Sequence, residues 1–517
     1  MALNIDDMAG FCKRKGFVYP TSEIYGGLAG FFDYGPYGVE LKNNLKQHWW
    51  KIFVKSREDI VGIDGSIIAN PQVWEASGHV SCFADIMVTC SNPKCKNKIR
   101  ADHFIENQLK FPADGMKANT INALIAENKL VCPKCQSKFL PAKDFNLMFS
   151  TQVGPEGEKE NKAYLRPETA QLIFADFKLV VDNARLKLPF GIAQIGRAFR
   201  NEISPRGFLF RCREFEQMEI EYFVHPDAYD KCPYADGILD CKINYIDAAM
   251  QENEGENKPE KKATMKELLD KGIIKTPWHA YWLSIIQNWF TQLGANADKL
   301  RIRQHISTER AHYSIDCWDL EYNFPFGWKE LTGTANRTDF DLKQHMEHSG
   351  QDLSLYDEES KKKIIPHVIA EPSIGVDRAF LVFMFDAYED DKERGNIVLK
   401  LDPYLAPVKA RIFPLINKLH DDARKIYSML KKDLAVGYDK SGSVGRRYAR
   451  ADEIGVPYCI TVDFESREDG CVTVRDRDTT RQVRVEVDKL KHTLNKLLNK
   501  EIEFENAGNP VGETNKD

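Results

Sequence analysis

Two linked stretches, Phe199-Arg200-Asn201-Glu202 and Arg211-Cys-Arg-Glu-Phe215-Glu-Gln-Met-Glu219, bring cations, an aromatic ring and carboxylates into one short segment. The intervening Ile203-Ser-Pro-Arg-Gly207 has the Pro and Gly of a turn, so the segment reads as two strands of a hairpin. Alternation along the second strand would put Arg211, Arg213, Phe215, Gln217, Glu219 and Glu221 on one face. Arginines suit phosphate oxygens, a flat ring suits adenine, and carboxylates suit an ammonium group. Phe215 and Glu219 would lie about 13 Å apart at about 3.3 Å per residue, which is the scale of an aminoacyl-adenylate. The same alternation also describes an amphipathic hairpin with a solvated charged face.

A second group, Glu371-Pro-Ser373-Ile-Gly375-Val-Asp-Arg378, reads as a strand running into a helix. Gly375 would open that helix, and its free N–H groups with Arg378 in the first turn offer an anion site. An ordinary N-capped helix has the same pattern. Two cysteine pairs, Cys90-x4-Cys95 and Cys132-Pro-Lys-Cys135, have spacings acceptable for a structural zinc site with four thiolates. The residues between the pairs exceed the span of a compact ribbon, so four unligated thiols stand as the alternative. With four protein ligands no position is left open for catalysis by such a metal.

These motifs resemble those of a known family. Phe199-Arg200-x-Glu202, Arg211-x-x-x-Phe215 and Gly375-x-x-Arg378 are similar to motifs 2 and 3 of class II aminoacyl-tRNA synthetases, and Pro71 resembles the motif 1 proline of their dimer interface. Tyr164-Leu-Arg-Pro-Glu-Thr-Ala-Gln171, Phe199–Arg206, Phe326-Gly-Trp-Lys-Glu-Leu331 and Glu371-Pro-Ser373 resemble the dimeric glycyl-tRNA synthetases. Phe215-Glu-Gln-Met-Glu219 is similar to the bacterial members, and the resemblance covers roughly residues 8–490.

The resemblance implies ATP binding by Arg200, Asn201, Glu202, Phe210, Arg211, Phe215, Glu330, Leu331, Gly375 and Arg378. Arg200 would hold the α-phosphate and the glycine carboxylate, and Arg211 the outer phosphates. Phe215 would stack on adenine, with Arg378 on its other side. Arg200, Glu202 and Arg378 would be the catalytic set, and Glu330 would lie at a Mg²⁺ accompanying ATP. Glycine binding falls to Arg100, Glu168, Phe215, Glu219, Glu371 and Ser373, with Ser373 filling the space a larger side chain would need. It further implies tRNA(Gly) as partner, a homodimer and a cytoplasmic enzyme of protein biosynthesis. Glycine's carboxylate is already ionised at neutral pH, so its attack on ATP needs positioning and cations rather than a general base. Glycine is also the smallest amino acid, so a tight pocket rejects competitors sterically and the insertion described next is not expected to edit.

The elements that would position these groups suggest an α+β protein. The core would be an antiparallel sheet covering 1–85 (with motif 1) and 163–400 (with motifs 2 and 3), and residues 86–162 would form an inserted subdomain carrying the cysteine pairs. Charged, low-complexity sequence from Gln251 to Lys262 marks a flexible insertion within 251–275. From 401 to 504 the pattern changes to strand–helix–strand alternation followed by a hairpin and a helix, an α/β unit resembling the family's anticodon-binding domain. There Ser441-Gly-Ser-Val-Gly-Arg-Arg-Tyr-Ala-Arg450 sets a Gly-rich turn before a basic helix, suited to RNA. Residues 505–517 read as a disordered tail.

With 517 residues the chain exceeds one compact domain. A net charge of −5 excludes a global basic field, so nucleic acid would have to bind local patches. No apolar run suggests a membrane span, and the acidic start lacks a signal pattern. A catalytically silent relative that keeps the fold, or an enzyme for another small amino acid such as serine, threonine or proline, are the alternatives. The retained ATP set argues against the first, and Glu371-Pro-Ser373 with the Glu168 segment against the second.

Overall fold

The computed structural model describes residues 3–110, 113, 116–154, 162–254, 260–307, 309 and 314–511. Its centre is a nine-stranded sheet. In chain order the strands are β1 (Ile60–Ile63), β2 (Phe190–Phe199), β3 (Glu214–Val224), β4 (Lys242–Ile246), β5 (Lys261–Thr264), β6 (Leu300–Gln304), β7 (Asp316–Phe324), β8 (Gly327–Asn336) and β9 (His367–Gly375). Across the sheet they run β5-β4-β6-β7-β8-β9-β3-β2-β1. Only the β2–β1 and β4–β6 pairs are parallel. The class II core is thus antiparallel where the motifs lie, which makes the fold α+β.

Three helices cover one face: α1 (Pro36–Trp50), α2 (Pro277–Gln292) and α3 (Val376–Ala387). Pro277 begins α2 where its missing N–H costs nothing, and the Thr276 side chain caps the turn by accepting from the His279 N–H at 3.1 Å. Trp278, Trp282 and Trp289, at helical spacing, are all buried against the sheet. In α3 the run Ala379–Phe385 is buried on every side. On the other face the helices Ala170–Ala175 and Phe177–Ala184 pack over one end, on Phe190, Ile192 and Phe223, and the remainder forms the floor of a cavity.

Residues 84–146 build a separate three-stranded sheet, Lys98–Arg100 beside Ala84–Thr89 beside Lys143–Asn146, with helices Ala101–Leu109 and Ala118–Glu127 closing a small core. Toward the C-terminus a six-stranded mixed sheet runs in the order Val436–Tyr438, Ala410–Pro414, Tyr458–Val462, Cys471–Asp476, Gln482–Glu486, Asn509–Pro510. Among the described residues no helix is long and apolar enough to cross a membrane.

The sequence-based reading differs from the structure in three places. The hairpin carrying the first motif is wider than expected. Strand β2 stops at Phe199 and β3 starts at Glu214, with a turn of 3-10 helix at Phe208–Phe210 between them. Arg211 and Arg213 therefore precede the strand, and its alternation does not set their directions. The stretch read as a flexible insertion is helical over Ala248–Glu254 and becomes edge strand β5 at Lys261, while 255–259 lie outside the described residues. The expected disordered tail contributes Asn509–Pro510 to the C-terminal sheet, and 512–517 lie outside the described residues.

Candidate active site

A cavity of about 350 Å³ opens on the uncovered face of β3, β8 and β9. The β3 pleat sends Phe215, Gln217 and Glu219 to that face, and the antiparallel register sets Glu219 opposite Ser373 and Gly333 opposite Ser373 from the other side. The nucleotide-like end is basic and aromatic. Arg200 lies just past the end of β2. Its guanidinium sits 5.3 Å from the Phe215 ring centre and 5.4 Å from Phe83, and its Nε donates to the Pro167 carbonyl at 3.0 Å. Arg378, in the first turn of α3, lies 4.6 Å from the Phe210 ring centre. It donates to the Glu330 carbonyl at 2.9 Å and pairs with the Glu330 carboxylate at 3.2 Å. Arg211 faces Glu202 at 3.9 Å. Burial draws Arg211 below its ordinary value. Glu202 opposes that, and Arg100, Arg378 and Arg206 reinforce it. A set of mutually repelling guanidinium groups with few carboxylates among them suits a polyphosphate.

At the other end the lining turns acidic. Glu219 is 1% exposed and accepts a hydrogen bond from the Thr169 hydroxyl. Glu371 accepts from Arg337 at 2.8 Å, and Arg337 in turn donates to Asp341. Glu168 accepts from Gln171 at 3.0 Å and faces His79 at 3.4 Å. Ser373 accepts from the Gln217 amide at 2.9 Å. Burial raises Glu219, and the nearby Glu168 charge raises it further. Glu371 is pushed up to about 8: burial raises it, Arg337 opposes, and Glu219 and Glu168 add to the rise. Glu168 goes the other way, because His79, Arg337 and the Gln171 hydrogen bond outweigh its burial. A cavity that crowds three carboxyl groups is chemically complementary to a small cation.

Most of the residues singled out by sequence line this one cavity: Glu168, Arg200, Glu202, Phe210, Arg211, Phe215, Glu219, Glu330, Leu331, Glu371, Ser373, Gly375 and Arg378. Asn201 and Arg100 do not. The Asn201 N–H donates to the Leu147 carbonyl, and Arg100 is held by Asp102 and by Asp85 at 3.3 Å. Arg100 instead lines a neighbouring cleft with Arg206 and Arg211. Arg213 turns away from the cavity, donating to the carbonyls of Glu202 and Ala29.

Sequence reasoning gave no site role to Thr169, Arg337, His305 and Asp319, and placed Gln217 on the right face without assigning it a ligand. Gln217 had a signal, since it alternates with Phe215 and Glu219. Arg337 had none, because only the fold brings it to Glu371. His305 and Asp319, paired at 2.7 Å on the cavity wall, meet where the chain leaves β6, the His305 N–H donating to the Cys317 carbonyl on β7 at 3.0 Å.

The cysteine pairs converge. Cys90 and Cys135 sulfurs are 3.4 Å apart, Cys95 and Cys132 3.9 Å, and all four lie within 4.8 Å of one another. Hydrogen bonds from Ser137 bring the Cys135 thiol down to about 6. Tetrahedral zinc–sulfur bonds of about 2.3 Å place sulfurs about 3.8 Å apart, so the donor set fits that ion.

Comparison with known families gives this geometry its context. Residues 151–253 match the tRNA synthetase class II core domain (G, H, P, S and T), and residues 409–497 match the anticodon binding domain. Fold and site together define a class II aminoacyl-tRNA synthetase. Glycine–tRNA ligase of Geobacillus thermodenitrificans is 47% identical over 507 residues, 96% of this chain and 98% of its own length. The glycine–tRNA ligases of Caldanaerobacter subterraneus subsp. tengcongensis and Clostridium tetani are 44% and 43% identical, covering 96% and 97% of this chain and 99% of each relative. The chain belongs to the glycine–tRNA ligase family.

Proposed function

We propose that this chain activates glycine with ATP to glycyl-adenylate and transfers the glycyl group to the 3′ end of tRNA(Gly), releasing AMP and pyrophosphate. The observation that carries the reading is the polarity of the cavity, with guanidinium and aromatic groups at one end and Glu219, Glu371 and Ser373 at the other. A glycyl-adenylate has the same polarity.

In the first step the glycine carboxylate attacks the α-phosphate. Arg200 would hold both reacting groups, and Arg211 and Arg378 would take charge developing on the phosphates. Phe215 or Phe210 offers a ring face for adenine, Glu202 a carboxylate for its edge, and Leu331 and Gly375 the apolar floor and helix start beside it. Mg²⁺, when bound, would neutralise phosphate charge, and Glu330, now paired with Arg378, would help to hold it. Glu168, Glu219 and Glu371 would surround the ammonium, while Ser373, tied to Gln217, would limit the side-chain space. Arg100 is proposed as a further substrate contact from the neighbouring cleft. Asn201, its N–H held by the Leu147 carbonyl, would serve ATP binding only by fixing the chain beside Arg200.

Structural zinc is proposed on Cys90, Cys95, Cys132 and Cys135, supported by their convergence. The remaining proposals are a cytoplasmic homodimer, with the Pro71 segment at the interface beside exposed Ile67 and Ile68, and a division of the chain at about 85, 162 and 400.

The test is amino-acid-dependent ATP–pyrophosphate exchange across the twenty amino acids. Exchange with glycine alone is expected. Exchange with another amino acid would overturn the pocket assignment, and none at all would overturn the catalytic reading.

A further inference from the structure

Behind the acidic end of the cavity sits Glu221, a carboxyl group to which the reaction above assigns no work. It follows Glu219 by two residues, so both lie on one face of β3. The Glu219–Ser373 pairing sets Glu221 directly across from Glu371 on β9. One oxygen from each of Glu219, Glu221 and Glu371 lies within 4.8 Å of the others. Glu221 is 0% exposed, and neither of its oxygens has a hydrogen-bond partner. Like charges directly opposite one another on a sheet repel, and a buried carboxylate without a partner is unfavourable. The nearest guanidinium, Arg337, is already engaged by Glu371 and Asp341. A strand position this exposed to repulsion would hold a leucine if packing were its only task.

Once a bound ammonium has ionised Glu371, the arrangement resolves itself if one proton remains between the two strands, on Glu221. We propose that Glu221 is a positioning residue of the ammonium subsite: as a neutral carboxylic acid it donates to one Glu371 oxygen and aims the other at the substrate's amino group. Burial drives the Glu221 carboxyl well above the usual carboxylate range, Glu371 adding to the rise and Arg337 opposing it. The charged groups that face it are Glu219 on its own strand, Glu371 on β9, Arg337 after β8 and Asp341 in the helix Phe340–Ser349; Glu168 acts on it through Glu219 and Glu371. Without that proton the subsite would hold one negative charge too many, and Glu371 would be pushed from Glu221 toward Arg337. Glu221 does not line the cavity, so its influence on glycine is exerted through Glu371.

This inference rests on the ammonium subsite proposed above, and the experiment separates the two. Glycine and ATP KM values and kcat are measured by pyrophosphate exchange, from about pH 6 to about pH 9, for wild type, Glu219→Gln, Glu221→Gln and Glu221→Met. Glu219→Gln removes a carboxyl group of the ammonium subsite and should raise the glycine KM about tenfold or more. Glu221→Gln keeps shape and a donor, so its glycine KM should stay within about threefold of wild type near neutrality. It should also lose the alkaline rise in glycine KM that wild type shows in excess of Glu221→Gln. Glu221→Met removes the donor and should raise the glycine KM about tenfold while leaving the ATP KM within about twofold.

A glycine KM in Glu221→Gln raised as far as in Glu219→Gln would overturn the proposal, because it would show an ionised Glu221. So would a Glu221→Met protein with wild-type kinetics, or one in which both KM values and thermal stability shift together. If Glu219→Gln itself leaves glycine binding untouched, the subsite is misassigned and the proposal falls with it. Glu221→Gln is isosteric, so the pH profile stays readable even if the methionine variant does not fold.

Discussion

At the scale of single residues, the acidic end of the cavity behaves as a proton store. Glu371 carries an ordinary value of 4.5 when unfolded and about 8 in the folded, empty site. Between those values the folded protein holds a proton that the unfolded chain has released. This group's contribution to stability therefore declines as pH rises from about 4.5 to about 8. An entering ammonium supplies the counter-charge that burial denied, so Glu371 ionises and its proton leaves. Glycine binding at pH 7 should accordingly release protons, up to about one per site, read by calorimetry in buffers of different ionisation enthalpy. The release should fade above about pH 9, where Glu371 is already ionised. Zero release at pH 7 would show that Glu371 is a carboxylate in the empty site. The thermal midpoint of the empty protein should fall between pH 5 and pH 8 and fall less with saturating glycine.

At the scale of elements, what was legible in the sequence followed from local rules. Alternation placed Phe215, Gln217 and Glu219 on one face because β3 is regular there. Gly375 marked a helix start because α3 begins at the next residue. Arg213 was misplaced because the same alternation was carried back past Glu214, into a turn closed by Phe208–Phe210, from which Arg211 nevertheless reaches the cavity. Arg337 and Thr169 were illegible, since their contacts join segments separated by long stretches of chain. The cysteine pairs lie between these cases. Their spacing suggested a metal, but the long intervening segment argued against it until helices Ala101–Leu109 and Ala118–Glu127 brought the pairs together. Because this small core is modest, its stability should depend on the ion. Protein purified without chelator should contain about one zinc per chain, and Cys132→Ser should lose it and free the 84–146 sheet to proteolysis. Metal-free wild type with unchanged protease resistance would rule out a structural zinc.

For the whole molecule, the two ends that must act on one tRNA are joined by a buried ionic network. Asp452, 1% exposed, accepts from Arg475 at 3.0 and 3.2 Å and from Arg394 at 3.4 Å. Arg394 follows the strand Tyr388–Asp391 at the end of α3, and it also donates to the carbonyls of Arg477 and Asp478. Arg477 reaches back to the carbonyl of Leu401 at 2.8 Å. The cavity-bearing sheet and the C-terminal sheet are thus coupled through α3, the same helix that carries Arg378. Asp452→Asn keeps the side-chain volume but leaves Arg475 without its anion and Arg394 with Asp391 alone, at 3.0 Å. Breaking one partner of a buried pair costs about 3–5 kcal/mol, and the partial exposure of Arg394 places the expected loss near the lower figure. Denaturant titration should show that loss as a shifted midpoint. Because the cavity's own residues are untouched, glycine-dependent pyrophosphate exchange should remain near wild type while aminoacylation of tRNA falls by about tenfold. If exchange and aminoacylation fall by the same factor, the network only stabilises the fold. If aminoacylation alone falls, Asp452 holds the anticodon end in register with the site of transfer.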